Sequence, residues 1–309
     1  MTNPLHQPLA EHGPRTEING MIVASIPSNA ASVARHYDEL DPAYRRIWGE
    51  HVHHGYWREG HESPEEASVA LVELVEQRLA LKPGQRVCDI GCGYGATAAE
   101  LLKRHDVAIV GFTLSARQQR IGQARAPGFA CLRRDWLDNG LATASFERAY
   151  AIESSEHMVD KALFFAEARR ILRDDGRLVV CAWLEGEHVR PWAVRHLLEP
   201  ICREGRLPSM GSREDYVRLA RDAGFVLTHY QDISRQVQRT WTICLVRLVK
   251  ALIRDPAIRR LAFGRGVESR DFLFSLPRLI LAFRTGAMRY GVFQWDAVSP
   301  PASNAATDR

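Results

Sequence analysis

The sequence lacks the features that would assign it to several familiar classes of protein. Its six cysteines form no pair of Cys-x-x-Cys motifs, which disfavours a structural zinc site. No run of about 18 apolar residues occurs, and residues 1–27 contain no continuous apolar segment, so neither a membrane span nor a signal peptide is expected. A net charge of +4 over 309 residues is too small to indicate nucleic-acid binding across the whole surface. We therefore expect a cytoplasmic protein with reduced cysteines and no nucleic-acid partner.

The composition is that of a chain that can bury a core, but its charge is unevenly distributed. Hydrophobic residues make up 46% and charged residues 25%, values that are ordinary for a globular domain. Between Ser234 and Tyr290 there are 12 Lys or Arg against 3 Asp or Glu, a net charge of +9, which leaves about −5 for the rest of the chain. A local basic segment of this kind indicates a partner or ligand rather than a particular fold.

Short apolar runs alternate with helical patterns along most of the chain. We predict strands over seven ranges: 86–90, 107–112, 129–133, 146–151, 176–184, 226–232 and 290–298. Helical periodicity covers 30–48, 68–79, 97–103, a segment beginning at 115, 161–173 and 212–225. Such alternation is typical of βαβ units and predicts an α/β fold with a doubly wound, seven-stranded, mostly parallel sheet.

The last two predicted strands are separated by nearly sixty residues, too many for a loop inside a compact domain. Apolar residues recur there with helical spacing at Trp241, Leu245, Leu248 and Leu252. A second, basic stripe contains Arg247, Lys250 and Arg254. We therefore predict a helical lid over 234–286, inserted into a core of residues 28–233 and 287–298. The polar ends, 1–27 and 299–309, are expected to be mobile.

The strongest motif is "RVCDIGCGYG", residues 86–95, in which a buried strand is followed by a glycine-rich turn and a helix. Glycines in such a turn let the backbone approach a ligand at the helix N-terminus. A dinucleotide site would show G-x-G-x-x-G and an acidic residue about twenty positions later. Here the spacing is G-x-G-x-G, and the next strand ends in "GFTLS" without an acid. Both differences disfavour a dinucleotide-dependent oxidoreductase.

This motif resembles motif I of the class I S-adenosylmethionine-dependent methyltransferases, and "GFTLSARQ" (111–118) resembles a motif of their tocopherol-methyltransferase and cyclopropane-synthase branches. "RDW" (134–136) matches the place where an acid and an aromatic residue meet the adenine. The resemblance implies that S-adenosylmethionine is the cofactor and that its contacts include Asp89, Gly91, Gly93, Thr113, Leu114, Gln118, Asp135 and Trp136. The structural alternatives are a helix cap at Ser115, a turn at Asp135 and a core position for Trp136.

Three further segments resemble the gamma-tocopherol methyltransferase group, so that the likeness extends from about residue 35 to 295: 37–57, 153–158 and 277–293. The resemblance places Tyr37 and His53 beside the cofactor and His54, Tyr56 and Trp241 beside the substrate. A metal site at the histidines near residue 53 is disfavoured because no carboxylate or cysteine accompanies them. Related cyclopropane synthases carry a cysteine near the position of His54, and its absence here disfavours cyclopropanation.

"ESSEHM" (153–158) follows the fourth predicted strand, at the edge of the sheet where ligands bind in doubly wound folds. We expect Glu153, Glu156 and His157 to face the methyl donor and acceptor as candidate catalytic residues. Glu153 would also contact the cofactor, and His157 would contact the substrate as a general base with an ordinary pKa of about 6.5. Glu156 would orient His157 or stabilise positive charge on the acceptor. The alternative is structural, with Ser154 or Ser155 capping a helix and the acids favouring its N-terminus.

The resemblance implies methyl transfer by SN2 displacement to a hydrophobic small molecule, such as a phenolic, indolic or prenylated ring. Carbon methylation of a prenyl diphosphate is the alternative, with four arginines available for the diphosphate: Arg235, Arg239, Arg247 and Arg254. The basic segment could also contact anionic membranes peripherally, or form a solvated helix face. A non-catalytic cofactor-binding scaffold is disfavoured because Glu153, Glu156 and His157 are all present.

Overall fold

The computed structural model describes residues 17–18, 20–264 and 266–298. Its strands are β1 (Glu17–Ile18), β2 (Met21–Val23), β3 (Arg86–Ile90), β4 (Ala108–Thr113), β5 (Phe129–Arg133), β6 (Phe146–Ile152), β7 (Leu172–Glu185), β8 (Ser209–Met210), β9 (Phe225–Asp232) and β10 (Met288–Ala297). Its α-helices are α1 (Ala30–Ile47), α2 (Pro64–Leu79), α3 (Ala96–Arg104), α4 (Ala116–Gln123), α5 (Lys161–Ile171), α6 (Pro191–Ala193), α7 (Glu199–Glu204), α8 (Arg213–Asp222), α9 (Ser234–Val237), α10 (Arg239–Arg254), α11 (Pro256–Phe263), α12 (Asp271–Phe274) and α13 (Leu276–Thr285).

The large sheet has the predicted seven strands, in the order β5-β4-β3-β6-β7-β10-β9. Strands β5, β4, β3, β6 and β7 pair in parallel, and β10 runs antiparallel to both of its neighbours. The chain adds strands outward from β3 in one direction and then resumes beside β3 with β6. This reversal creates a crevice at the carboxyl ends of β3 and β6, which is where ligands bind in open α/β sheets.

Strand β7 shows why both faces of the sheet are covered. Val179, Cys181 and Trp183 belong to one buried cluster, whereas the intervening Val180 and Ala182 belong to the other. Because side chains alternate across a strand, a run with apolar residues at every position can be stable only when helices cover both faces. Helices α2, α3 and α10 contribute to the first cluster, and α5 and α8 to the second.

Helices α9 to α13 form the insertion between β9 and β10, as the long separation of the last two strands predicted. Helix α10 buries Trp241 and Leu248 of the predicted apolar stripe, and it packs against α13 and α1. Leu245 and Leu252 are half-buried against the same cluster. Among the helices of the described residues, none is both long and apolar enough to span a bilayer.

The segment before α1 differs from the prediction of a mobile region up to residue 27. Strand β2 pairs with β8, and β1 pairs with β2, in a small antiparallel sheet. Ile22 and Met210, which face each other in this sheet, are both fully buried. Strands of two or three residues give no periodic signal in the sequence, so this pairing was not predicted. Residues 1–16 and 299–309, for which mobility was also expected, lie outside the described part of the chain.

Candidate active site

Three neighbouring cavities lie at the carboxyl ends of the parallel strands. The main cavity encloses about 800 Å³ including its open mouth, a size that accommodates a typical small-molecule ligand. Its walls include Tyr37, Gly91, Gly93, Thr113, Leu114, Gln118, Asp135, Trp136, Glu153 and His157. A polar cavity adjoins it and is lined by His51, His53, Asp89, Gly91, Gly93, Thr97 and Tyr150, among others. An aromatic chamber on the other side is lined by Tyr37, Tyr44, Trp48, Glu153, Glu156, His157, Trp183, Trp241 and Phe272, among others.

The turn after β3 brings backbone close to the main cavity because its glycines adopt left-handed conformations. Gly91 has φ +85°, and a Cβ added there would stand 2.3 Å from Cβ of Ser154. Gly93 has φ +52°, and a Cβ added there would meet no atom within 4 Å, so it would project into the open space that Gly93 lines. Helix α3 begins at Ala96, directly after this turn, so its free N–H groups point toward the cavities.

Asp89, the penultimate residue of β3, is buried at the wall of the polar cavity. Burial raises the pKa of its carboxyl group to about 7, against the opposing effect of a 2.7 Å hydrogen bond donated by the Tyr150 hydroxyl. A buried carboxylate with a raised pKa gains strongly from a cationic ligand. This site is therefore suited to a ligand ammonium group.

Residues at the carboxyl ends of β4 and β5, and in the turns that follow, stabilise the local structure and also line the main cavity. The Thr113 hydroxyl donates a 2.7 Å hydrogen bond to Oε1 of Gln118. Ser115 caps the N-terminus of α4, which is the structural alternative given for it in the sequence analysis. Oδ1 of Asp135 accepts a 3.0 Å hydrogen bond from the Leu137 N–H, so this residue also caps a turn. Trp136 is only 2% exposed and packs against Phe112 and Phe164. Trp136 is thus part of the core with one surface on the cavity, rather than a ring free to cover a ligand.

Glu153 forms the boundary between the main cavity and the aromatic chamber, and its backbone is held at φ +52°. Oε1 accepts hydrogen bonds from the His54 N–H at 2.7 Å and the Tyr290 hydroxyl at 2.8 Å. Oε2 accepts one from the indole of Trp183 at 3.0 Å. Burial alone would raise the pKa of Glu153, but the electrostatic interaction and hydrogen bonds with His54 lower it to about 2. Glu153 is therefore a fixed carboxylate.

His157 is held in one orientation by two partners. Its Nδ1 lies 3.3 Å from the carbonyl oxygen of Arg206, and its Nε2 lies 2.8 Å from the Tyr37 hydroxyl. Since a carbonyl can only accept, Nδ1 carries the proton and Nε2 accepts from Tyr37. Burial lowers the pKa of His157 to about 4, against the hydrogen bond to Arg206, so the expected ordinary pKa of 6.5 is corrected. At neutral pH His157 is therefore an uncharged imidazole that lines the cavities, and its Nε2 lone pair accepts from the Tyr37 hydroxyl.

The structure does not support the expectation that Glu156 orients His157. Oε1 of Glu156 accepts a 2.6 Å hydrogen bond from the Trp183 N–H, and Oε2 accepts one of 3.1 Å from the Ser155 hydroxyl. Burial raises the pKa of Glu156 to about 7, against the hydrogen bond from Trp183. The orienting contacts of His157 come instead from Tyr37 and Arg206.

The aromatic chamber brings together residues from distant parts of the chain. The ring of Trp241 lies edge-on to Trp48 and Trp183, with centroids 5.6 and 5.3 Å apart. Its buried indole N–H has no hydrogen-bond partner among the described residues. Tyr44, Trp48, Trp183 and Phe272 were not predicted. Tyr37, Tyr44 and Trp48 recur at spacings of seven and four, which puts them on one face of α1 and was a signal available in the sequence.

Comparison with known proteins assigns the chain to a family. The family described as mycolic acid cyclopropane synthetase matches residues 25–259. The chain belongs to this family. It is 25% identical to the chloroplastic tocopherol O-methyltransferase of Arabidopsis thaliana, over 89% of this chain and 85% of that protein. It is 31% identical to the O-methyltransferase cnsE of Penicillium expansum, over 70% of this chain and 80% of that protein. The mycolic acid cyclopropane synthase CmaA1 complexed with SAH and CTAB superimposes with a TM-score of 0.76 at 22% identity, covering 88% of this chain and 99% of that one.

The protein is accordingly an S-adenosylmethionine-dependent methyltransferase with the class I fold. Its cavities fit that cofactor on physical grounds. The polar cavity is lined by the Asp89 carboxyl, which suits a ligand with an amino group. The main cavity offers open space at Gly93 and polar side chains at Gln118 and Asp135, which suit an adenosine.

The histidine-rich turn of the methyltransferase divides its side chains between two environments. His53 lines the polar cavity, and burial lowers its pKa. The next side chain has a different environment: His54 is fully buried, with Nδ1 2.9 Å from Oε1 of Glu153, and it is not among the residues that line the three cavities, so its predicted substrate contact is unsupported. Tyr56 lies beside the guanidinium of Arg58 and is not among the residues that line the three cavities. The predicted substrate contact of Tyr56 is therefore unsupported.

Proposed function

We propose that this methyltransferase methylates a hydrophobic small molecule of phenolic, indolic or prenylated-ring type, and that His157 receives the acceptor proton. The observation that carries the proposal is that His157 lines both the main cavity and the aromatic chamber, with its Nε2 2.8 Å from the Tyr37 hydroxyl. S-adenosylmethionine supplies an electrophilic methyl group on a sulfonium. The protein then needs to align the acceptor, exclude water and take up one proton.

Within this proposal the cofactor residues have distinct roles. Asp89 binds the amino group, and the backbone at Gly91 and Gly93 follows the methionine part. The adenosine contacts Thr113, Leu114, Gln118, Asp135 and Trp136. Tyr37, His53 and Glu153 lie toward the sulfonium, where the fixed negative charge of Glu153 favours a cationic ligand.

The proposed proton path uses groups already in contact. An acceptor hydroxyl, or the N–H of an indole, would hydrogen-bond to Nε2 of His157 in place of the Tyr37 hydroxyl, or through it. As the acceptor oxygen or nitrogen bonds to the methyl carbon, the bond from that carbon to sulfur would break, S-adenosylhomocysteine would leave with the electron pair, and the acceptor proton would move to Nε2. The resulting imidazolium remains hydrogen-bonded to the Arg206 carbonyl through Nδ1. Tyr44, Trp48 and Trp241 exclude water around the ring of the acceptor, and the free indole N–H of Trp241 can donate to one of its oxygens.

Carbon methylation of a prenyl diphosphate is less favoured by the contacts of the arginines. Arg239 donates to the carbonyl of Gly60 at 2.6 Å, and Arg247 donates to Glu65 at 2.9 Å. None of the four predicted arginines is among the described residues that line the aromatic chamber. For the basic segment we favour contact with an anionic membrane surface. The six free, buried cysteines support the cytoplasm as its compartment.

The test is a search for methylated products in which the protein and labelled S-adenosylmethionine are incubated with phenols, indoles and prenylated rings. We expect ring-containing products that carry the label. The His157→Ala variant should lose most of this transfer, whereas Tyr56→Phe, outside the cavities, should retain it. Labelled prenyl diphosphate as the single product would overturn the proposal, and so would undiminished transfer by His157→Ala.

A further inference from the structure

We propose that the outer face of the helical insertion docks on an anionic lipid bilayer. The first observation is an apolar stripe on the exposed side of α10. Val246, Val249 and Ile253 are 48%, 47% and 71% exposed. Their spacings of three and four residues put them on one helix face. That face lies opposite the buried positions Trp241, Cys244, Leu248 and Ala251. The solvent side of a surface helix in a globular protein is normally polar, so this exposed apolar stripe indicates a binding surface.

A second group of apolar side chains is exposed on the next elements of the insertion. Phe263, at the end of α11, is 65% exposed, and Phe274, at the end of α12, is 48% exposed. Their ring centroids are 5.9 Å apart, so they form an aromatic pair that is open to solvent. Leu281 on α13 is a further exposed apolar residue at 41%. Clustered exposure of large apolar groups marks sites of protein or membrane contact.

Cations without partners accompany these apolar groups. Lys250, Arg254, Arg260 and Arg284 are exposed, and none of them forms an ion pair within the described residues. By contrast, Arg247 is paired with Glu65, and Arg278 contacts Glu204. Uncompensated cations beside exposed aliphatic and aromatic side chains suit an interface that is apolar inside and negatively charged at its surface. An anionic bilayer has this chemistry.

The insertion connects this surface to the aromatic chamber, because the same helices serve both. Helix α10 carries Trp241 in the chamber wall and Ile253 in the exposed stripe. Helix α12 carries Phe272 in the chamber wall and Phe274, two residues later, in the exposed pair. A bilayer at this surface would therefore lie one helix away from the chamber. This inference rests on the proposed hydrophobic acceptor, which would accumulate in lipid and enter the chamber from there.

The test measures sedimentation of the full chain with vesicles of phosphatidylcholine alone and of phosphatidylcholine mixed with phosphatidylglycerol. We expect binding to the mixed vesicles, weakened by salt, and little binding to phosphatidylcholine alone. Ile253→Asp and the double variant Lys250→Glu/Arg254→Glu should each lower the partition coefficient at least about tenfold. Matched controls are Val226→Asp, at an apolar position 53% exposed on β9, and Lys82→Glu, at an exposed lysine before β3. Both controls should bind as the wild type does.

Affinity for S-adenosylhomocysteine, measured on every variant, separates this inference from the proposed function. Wild-type protein that binds S-adenosylhomocysteine but ignores the mixed vesicles would overturn the docking surface alone. An equal loss of vesicle binding in the control variants and in the insertion variants would also overturn it. So would self-association that Ile253→Asp abolishes without any vesicle binding, which would make a second copy the occupant. Vesicle binding without transfer to any ring acceptor would instead leave docking intact and overturn the proposed acceptor class.

Discussion

The buried carboxyl of Asp89 should make cofactor binding depend on pH. Because burial raises its pKa to about 7, Asp89 is protonated and uncharged below that pH and gains its charge above it. A ligand ammonium is bound better by the carboxylate, so affinity for S-adenosylhomocysteine should rise as pH increases through about 7. Below that value we expect a change of up to about tenfold per pH unit. Calorimetry over this range checks the sign and the slope.

Asp89→Asn is the matched control, since it keeps the size of the side chain and removes its titration. We expect this variant to bind weakly at every pH and without the slope. A wild-type affinity that stays constant across neutral pH would contradict the assignment of the amino group to Asp89.

A second residue-scale prediction concerns the pH dependence of turnover. With a folded-state pKa of about 4, His157 is already unprotonated at neutral pH. The acid limb of kcat/KM assigned to this residue should therefore lie near pH 4 to 5 rather than at 6.5. His157→Ala should lower kcat by about 10² to 10⁴ with affinity for S-adenosylhomocysteine unchanged. Tyr37→Phe, which removes the hydroxyl that donates to Nε2, should shift the acid limb toward higher pH, because the neutral imidazole then loses a hydrogen bond that stabilises it against protonation.

The sequence was informative about residues whose role depends on local backbone and less so about residues paired across the chain. Asp89, Gly91 and Gly93 follow from one contiguous motif, and the structure places all three at the cavities. The partner of His157 could not be foreseen, because Tyr37 is 120 residues away and its contact depends on how α1 crosses the sheet edge. Glu156 was assigned to His157 from adjacency alone, whereas its oxygens face the Trp183 N–H and Ser155.

At the scale of elements, alanine substitutions can distinguish the roles of two glycines in the turn between β3 and α3. Gly91→Ala places a Cβ against Ser154 in a left-handed conformation, so it should lower the free energy of unfolding by about 2 kcal/mol or more. Gly93→Ala meets no neighbouring atom and should cost only about 1 kcal/mol, from its backbone conformation. Its methyl group would occupy cavity space, so it should weaken binding of S-adenosylhomocysteine. Urea denaturation and calorimetry on both variants check the contrast, and equal stability losses would contradict it.

The regular elements were predictable where several residues repeat a pattern. The strands at 86–90 and 129–133 have the predicted bounds, because each is an apolar run between turns. Strands β2 and β8 contain three and two residues, too few for periodicity, and their pairing depends on a contact across nearly the whole core domain. The aromatic chamber was missed for a similar reason, since its walls come from α1, β7, α10 and α12.

At the scale of the whole molecule, buried ionisable groups of two kinds have opposite effects on stability in acid. Five histidines have folded-state pKa values below 6.5 because of desolvation: His36, His51, His53, His157 and His229. As pH falls, these histidines are protonated in the unfolded chain before they are protonated in the native state. The stability that the neutral histidines contribute is therefore lost as pH falls below about 6.5. Asp89 and Glu156 have folded-state pKa values raised to about 7, so the native state holds their protons first. Their contribution is present below pH 4 and is lost as pH rises toward 7.

Since the histidines outnumber the carboxyl groups, the unliganded protein should lose stability between about pH 6.5 and 4.5, with the carboxyl groups moderating the loss. Glu156→Gln removes one moderating group while keeping an acceptor for the Trp183 N–H. Its free energy of unfolding should therefore fall more steeply with acidification than that of the wild type, by about 1.4 kcal/mol per pH unit. Urea denaturation at several pH values in this window measures both slopes. Parallel slopes would mean that Glu156 is ionised in the folded protein, and the aromatic chamber would then carry two negative charges rather than the single charge of Glu153.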